Sequence, residues 1–171
     1  MNPKIIAFAI EAHHNTCHTY DGKPYSLHLA MVAYYAQKYI HLIPERLHAD
    51  IIAACWLHDT IEDTRNTYDN IINISNKFIA DIVYSVTNKK GRTRSERADD
   101  EYYKDIVNTP FASFVKLCDR LANVKYSVET NSRMLNVYRK ENENFLKKLI
   151  IEPNDKIYAD MISELHNLLY E

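Results

Sequence analysis

Four ionisable side chains lie close together in the segment CWLHDTIEDT, which covers residues 55–64: His58, Asp59, Glu62 and Asp63. The segment ends the apolar run IIAACWL, so its first polar residues fall where a helix is expected to be buried. A buried carboxylate keeps its charge only if it is paired or coordinates a metal ion, because removing an isolated charge from water is very costly. These residue types therefore indicate a site that binds a cation.

Helical spacing would bring these side chains together. His58 and Glu62 are four residues apart, and so are Asp59 and Asp63, so each pair would share one face of a helix. A solvent-exposed helix end with scattered charges would explain the last two acids. It does not explain a His-Asp pair directly after an apolar run. Two ligands do not make a metal site, so further ligands are needed.

Two further residues of ligand type lie in apolar segments: His28 in PYSLHLAMV and Asp119 in FVKLCDRLANV. A single histidine among apolar residues is more often a core residue than a ligand, whereas an acid in an apolar helix needs a partner. Together with His58 and Asp59, they make a set of two histidines and two aspartates. Such a set suits manganese, iron or zinc and leaves positions open for water and substrate.

Helices must position these residues, because apolar residues recur at three- and four-residue spacings almost throughout the chain. The two glycines among 171 residues are too few for the tight turns of a β-sandwich or barrel. We predict an all-α fold without strands, in which Pro24, Pro44 and Pro110 begin helices and Thr109 is an N-cap. The predicted helices, about eight, cover residues 4–18, 24–40, 45–62, 68–86, 97–107, 110–128, 132–150 and 155–170.

Length, charge and cysteine content restrict the class of protein. The 171 residues suffice for one domain, so we predict a single domain over residues 1–171. The net charge of −2 gives no indication of a DNA, RNA or membrane partner, and no apolar run is long enough to cross a bilayer. The three cysteines include no CxxC pair, which favours reduced thiols in the cytoplasm. We expect a cytoplasmic protein.

One segment, TNKKGRTRSER over residues 87–97, has five basic side chains and no apolar residue. Charge runs of this kind usually form solvated loops. In a chain with a net negative charge, however, such a local concentration of positive charge favours a partner that carries phosphates.

The order His28, His58-Asp59, Asp119 resembles the H…HD…D signature of the HD-domain metal-dependent phosphohydrolases. The segments PYSLH, LHDTIEDT and VKLCDRLANV are similar, in sequence and in order, to hydrolase domains of the RelA/SpoT type and to small alarmone hydrolases. The resemblance covers roughly residues 5–150 and leaves the predicted helix 155–170 outside it. It implies that the all-α fold is an HD-domain helical bundle.

The resemblance also implies a role for each matching residue. His28, His58, Asp59 and Asp119 would be the metal ligands, with Mn²⁺ the most suitable ion. The acidic pair would activate or orient the attacking water, and basic residues with one asparagine would contact the nucleotide. These further residues are Glu62, Asp63, Lys90, Arg94, Arg97 and Asn123.

The chemistry of these residue types agrees with hydrolysis of a phosphate ester. A bound metal ion lowers the pKa of water and neutralises charge on phosphate oxygens. Glu62 would accept the proton of that water as a general base, and the basic side chains would stabilise the leaving group. The reaction that the resemblance implies is removal of the 3′-pyrophosphate from guanosine tetraphosphate or pentaphosphate, the alarmones of the stringent response.

One departure from the family leaves alternatives open. Alarmone hydrolases usually carry a basic pair before the Pro24-Tyr25 motif, but this chain has His18-Thr19 or Thr19-Tyr20 there. The alternatives are an HD phosphohydrolase that acts on another nucleotide and, less favoured, a catalytically silent nucleotide-binding regulatory module. Tyr20 and Tyr138 are candidates for stacking on a base, although ordinary packing is the better interpretation. The C-terminal helix is expected to pack on its own core or to form a homodimer.

Overall fold

The computed structural model describes residues 2–151 and 154–171, so the predicted domain 1–171 includes three residues, Met1, Glu152 and Pro153, outside the described part. Helices dominate, which confirms the predicted all-α class. Two short 3-10 helices, Ile40–Leu42 and Glu45–Leu47, link the second and third α-helices. The α-helices are α1 (Pro3–Asn15), α2 (Ser26–Lys38), α3 (His48–Leu57), α4 (Thr60–Asp63), α5 (Tyr68–Ile74), α6 (Lys77–Val86), α7 (Arg94–Arg97), α8 (Asp100–Asn108), α9 (Ala112–Glu129), α10 (Met134–Leu149), α11 (Asn154–Ile157) and α12 (Ala159–Tyr170).

The prediction of no strands was wrong in one place. Strands β1 (Thr19–Tyr20) and β2 (Lys23–Pro24), of two residues each, form an antiparallel hairpin. Its turn residues, Asp21 and Gly22, have φ angles of 52° and 73°, the left-handed values that a tight hairpin turn requires. Pro24 therefore ends a strand, and α2 begins only at Ser26.

Three predicted helices are each divided. The segment 155–170 becomes α11 and α12, with Tyr158 between them. The segment 45–62 becomes a 3-10 helix, α3 and α4, with His58 and Asp59 between the two α-helices. The segment 68–86 becomes α5 and α6, because the side chain of Asn76 accepts a hydrogen bond from the Ile79 N–H and starts a new helix there.

The predicted start of α9 was also wrong. Thr109 ends α8 instead of starting the next helix: its N–H donates to the carbonyls of Asp105 and Ile106, and its hydroxyl to that of Asp105. Phe111 then adopts a left-handed conformation, with φ 65°, immediately before α9. Pro110 therefore lies in the connection and not in the first turn of the helix.

Helix α9 lies at the centre of the core. It packs against α2, α3, α6, α10 and α12. Its side chains Leu117, Leu121 and Val124 are fully buried, and burial of each such side chain stabilises the fold by roughly 1.5–3 kcal/mol. Because α2 and α3 also pack on each other, residues on these three helices are brought within contact distance.

Helix α12 packs on α9, and its residues Met161, Leu165 and Leu169 are fully buried there. The apolar stripe of the C-terminal helix is thus covered by the chain's own core, while a homodimer stays a prediction. Within residues 2–151 and 154–171, no helix combines the length and the hydropathy that a membrane span requires.

Candidate active site

Three predicted metal ligands converge from three parts of the core. His28 lies in the first turn of α2, His58 directly follows α3, and Asp119 lies in the middle of α9. Their ligand atoms all lie within 4.8 Å of one another, and all three residues are buried. The Nε2 atom of His28 is 3.2 Å from Nε2 of His58 and 3.3 Å from Oδ1 of Asp119.

Asp59 completes the set that was predicted from the sequence. Its Oδ2 atom lies 2.9 Å from Nε2 of His58 and 3.4 Å from Nε2 of His28. Two imidazoles and two carboxylates therefore present their ligand atoms to one another. We call His28, His58, Asp59 and Asp119 the ligand cluster.

The tautomer of His58 fits metal binding. Its Nδ1 lies 2.9 Å from the carbonyl oxygen of Cys55, so Nδ1 carries the proton and donates it to that acceptor. In the neutral imidazole, Nε2 then presents its lone pair to the cluster. A backbone carbonyl in this position is a common way to fix the tautomer of a metal-binding histidine.

The electrostatics of the cluster favour positive charge beside its two carboxylates. Burial lowers the pKa of His58, but the carboxylates of Asp59 and Asp119 outweigh burial and raise this pKa well above its ordinary value. Burial would raise the pKa of Asp119, yet Lys116 and the two histidines hold it well below its ordinary range. The carboxylates are thus stabilised by adjacent cations, a role that a divalent metal ion can also fill.

Neighbouring side chains fix the two carboxylates. The Tyr25 hydroxyl donates to Oδ2 of Asp59 at 2.5 Å, and the Asn123 amide donates to Oδ1 of Asp119 at 2.5 Å. Lys116 Nζ lies 3.1 Å from the other oxygen of Asp119. Asn123 was predicted to contact the nucleotide; it lines the cleft described below and also orients a candidate ligand.

The predicted catalytic acids, Glu62 and Asp63, lie in α4 and line the same cleft as the ligand cluster. The carboxylate of Glu62 accepts hydrogen bonds from the backbone N–H of Asn88 at 2.8 Å and from its side-chain amide at 3.0 Å. Asp63 lies 3.4 Å from the Tyr25 hydroxyl. Burial, together with the charges of Asp59 and Glu62, raises the pKa of Asp63 to about 7.

A cleft of about 340 Å³ opens above the ligand cluster. Arg94 and Arg97, two of the predicted substrate-binding residues, line it, but Lys90 is exposed and is not among the residues that line it. Basic, acidic and amide side chains make up most of its polar wall. They are Glu62, Asp63, Asn88, Arg94, Arg97, Lys116, Arg120, Asn123, Glu141, Asn144 and Lys148.

Three basic residues of the cleft were not predicted from the sequence as site residues: Lys116, Arg120 and Lys148. Lys116 precedes Asp119 by one helical turn, so helical spacing alone could have placed it beside that residue. Arg120 lies over the ring of Phe145, with its guanidinium carbon 4.1 Å from the ring centroid. This pairing joins α9 to α10 and could not be read from local sequence.

The two tyrosines considered for base stacking differ in position. Tyr20 stacks on the imidazole of His28, with 4.8 Å between the ring centroids, and donates to Asn123. Tyr138 lines the cleft, and the guanidinium of Arg120 lies 4.8 Å from its ring centroid. Tyr20 thus supports the ligand cluster, and Tyr138 forms part of the cleft wall.

Known proteins with similar sequences share one activity in their names. A guanosine-3′,5′-bis(diphosphate) 3′-pyrophosphohydrolase, MESH1 of Danio rerio, is 31% identical over 121 residues, which are 70% of this chain and 65% of that protein. The guanosine-3′,5′-bis(diphosphate) 3′-pyrophosphohydrolase of Aquifex aeolicus is 34% identical over 148 residues, 84% of this chain but 18% of that protein. A probable enzyme of the same name from Mycoplasma pneumoniae is 30% identical over 115 residues, 60% of this chain and 15% of that protein.

The chain therefore spans slightly less than two thirds of the zebrafish relative and under a fifth of the two bacterial ones. No family model matches it. A solved structure, described as a metazoan ortholog of SpoT that hydrolyzes ppGpp, aligns with a TM-score of 0.65 at 19% identity, over 98% of this chain and 94% of that one. The structural likeness confirms the fold, and the sequence relatives confirm the resemblance to alarmone hydrolases that the motifs indicate.

Proposed function

We propose that this chain, a relative of the guanosine-3′,5′-bis(diphosphate) 3′-pyrophosphohydrolases, hydrolyses the 3′-pyrophosphate of guanosine tetraphosphate or pentaphosphate in a metal-dependent reaction. The observation that carries the proposal is the convergence of His28, His58 and Asp119, with Asp59, at a cleft whose wall holds several basic side chains. Two negatively charged diphosphate groups and a divalent cation are the ligands that such a site suits.

The ligand cluster would hold one divalent ion, and we propose Mn²⁺ because a mixed set of imidazole and carboxylate ligands suits it. When bound, such an ion lowers the pKa of water and neutralises charge on phosphate oxygens. The carbonyl of Cys55 keeps the proton of His58 on Nδ1, and Tyr25, Asn123 and Lys116 keep the two carboxylates in place. These contacts would hold the ligands ready before the ion arrives.

Two acids would handle the proton of the attacking water. Glu62 is oriented by two hydrogen bonds from Asn88, so its remaining lone pairs can accept a proton in a defined direction. Asp63, whose pKa is raised to about 7, can hold and release a proton near neutral pH. We propose that Glu62 is the general base and that Asp63 then accepts the proton from Glu62.

The basic side chains would bind and stabilise the phosphates. Lys116 is nearest to the ligand cluster, so it would neutralise charge on the phosphoryl group that reacts. Arg94, Arg97, Arg120 and Lys148 line the rest of the cleft and would bind the remaining phosphates. Lys90 would act only if the substrate reached beyond the cleft wall.

The three relatives described above are all named for the same guanosine substrate, which favours this nucleotide over the two alternatives. Turnover of purified protein with added Mn²⁺ tests the proposal, with guanosine tetraphosphate, its adenosine counterpart and common nucleoside phosphates as substrates. Release of pyrophosphate from guanosine tetraphosphate, lost in Asp119→Ala, is the expected result. Phosphate release from another nucleotide would identify that nucleotide as the substrate. Metal binding without turnover would favour the nucleotide-binding regulatory module.

We also propose a cellular location. We place the activity in the cytoplasm, since Cys17, Cys55 and Cys118 are all free thiols.

A further inference from the structure

Glu141 on α10 accepts hydrogen bonds from two guanidinium groups of the cleft. Arg94 donates from Nε and Nη2 to the two carboxylate oxygens of Glu141, at 2.9 and 3.0 Å. Arg120 donates from Nη1 to one of these oxygens at 3.3 Å. All three residues line the cleft. A carboxylate of the protein thus takes donors that a bound anion would otherwise use.

The two arginines are held differently. The side chain of Arg120 is 10% exposed, and its guanidinium lies against the rings of Phe145 and Tyr138, so its position is fixed. The side chain of Arg94 is 50% exposed and comes from the four-residue helix α7. Its guanidinium lies 5.8 Å from the Tyr138 ring centroid. Arg94 is therefore less constrained by packing than Arg120.

The contact of Arg94 with Glu141 has the geometry of phosphate recognition. A guanidinium binds a carboxylate and a phosphate through the same parallel pair of N–H donors. The oxygens of Glu141 consequently lie where phosphate oxygens would bind. A diphosphate has more charge and more oxygens than one carboxylate, so it can displace Glu141 and contact both guanidinium groups.

We infer that Glu141 is an internal competitor for the phosphate-binding pair Arg94 and Arg120, and that the non-reacting 5′-diphosphate of the nucleotide displaces it. The inference rests on the proposed function, since guanosine 3′,5′-bis(diphosphate) carries a second diphosphate besides the one removed. By holding the arginines in the free protein, Glu141 weakens the binding of the nucleotide and of the 5′-diphosphate product alike. It therefore sets how readily the product leaves.

Binding of GDP to the full chain at saturating Mn²⁺, followed by isothermal titration calorimetry, tests the inference without turnover. Glu141→Gln should bind GDP about five- to ten-fold more tightly than the unmodified chain, because no carboxylate has to be displaced. Guanosine, which has no phosphate, should bind equally to both. Glu143→Gln removes a charge from an exposed position of the same helix and should leave GDP binding unchanged.

The double variant Arg94→Gln/Glu141→Gln separates competition from a general effect of charge. If Glu141 competes for Arg94, the gain from Glu141→Gln should become smaller when Arg94 is already replaced, because only the single contact of Glu141 with Arg120 is then left. A gain of equal size in both backgrounds, or weaker GDP binding by Glu141→Gln, overturns the inference. Absence of guanosine tetraphosphate turnover would overturn the proposed function instead, and the GDP measurements would still decide the role of Glu141.

Discussion

Asn88 donates two hydrogen bonds to Glu62, one from its backbone N–H and one from its side-chain amide, at 2.8 and 3.0 Å. The two residues are 26 positions apart, and Asn88 lies at the start of the basic segment that follows α6. The orientation of the proposed general base thus depends on a residue outside its own helix. Disturbing the basic segment should therefore affect the chemical step as well as phosphate binding.

Replacing Asn88 by Ala should lower kcat about ten-fold and leave KM within about two-fold, because Glu62 loses one oriented hydrogen bond and Asn88 is not among the proposed phosphate-binding residues. Steady-state kinetics with guanosine tetraphosphate measure both constants. Asn108→Ala, at the exposed end of α8, is the matched control. A large increase of KM at constant kcat would instead place Asn88 on the substrate.

The two acids of α4 should differ in their effect on turnover. Glu62→Gln removes the proposed general base and should lower kcat about 10²- to 10⁴-fold, whereas Asp63→Asn should cost less because it acts after the first proton transfer. Both variants should still bind Mn²⁺. If Asp63→Asn is the more damaging of the two, the roles of the acids are exchanged.

Metal binding should stabilise the fold through the ligand cluster. At a Mn²⁺ concentration about 100 times its dissociation constant, bound metal should add about 2.7 kcal/mol to the free energy of unfolding, and a chelator should remove this gain. Thermal unfolding with Mn²⁺ and with EDTA measures the difference. In Asp119→Asn the difference should vanish, while in His41→Ala, an exposed residue outside the cluster, it should persist. A shift of equal size in Asp119→Asn would exclude the cluster as the metal site.

The raised pKa of Asp63 predicts a pH dependence of stability in the metal-free protein. The folded-state pKa of about 7 lies above the ordinary value of 3.8, so the folded protein binds more protons than the unfolded chain between these pH values. The free energy of unfolding should therefore fall as the pH rises through this window, because the buried carboxyl must ionise.

Asp63→Asn removes this ionisation. Its melting temperature should equal that of the unmodified chain near pH 4 and exceed it by about 3 °C near pH 8, after allowance for solvent screening. Thermal unfolding across this pH range, with EDTA present, provides the test. Equal melting temperatures at both pH values would show that Asp63 ionises freely in the folded protein.

The helices could be predicted because they depend on local patterns, whereas the ligand set was proposed from residue types and from the resemblance of the motif order. Apolar spacing places His28 and Asp119 in buried helices, and the order of the motifs connects them to His58-Asp59. The break between α3 and α4 could not be predicted, since no residue there prevents a continuous helix. In the structure, Asp59 is hydrogen-bonded by Tyr25, a residue distant in sequence.

Which side chains of the basic segment form ion pairs also depends on tertiary contacts. Lys89 forms ion pairs with Asp99 and Glu101, at 3.4 and 2.5 Å, while the adjacent Lys90 is exposed. Neighbouring lysines in a charge run are equivalent in the sequence, so no local pattern distinguishes them. The β1–β2 hairpin was missed for a similar reason, because two-residue strands are too short to show alternation.

Helix α10 contributes to the wall of the cleft but not to its metal-binding centre. It contributes no residue to the ligand cluster, yet Tyr138, Glu141 and Phe145 recur at three- and four-residue intervals along one of its faces and line the cleft. Part of the wall that is proposed to meet the nucleotide can therefore change on α10 while the ligand cluster stays unchanged. Natural variation or directed evolution confined to α10 would alter which nucleotide is retained without rebuilding the chemistry.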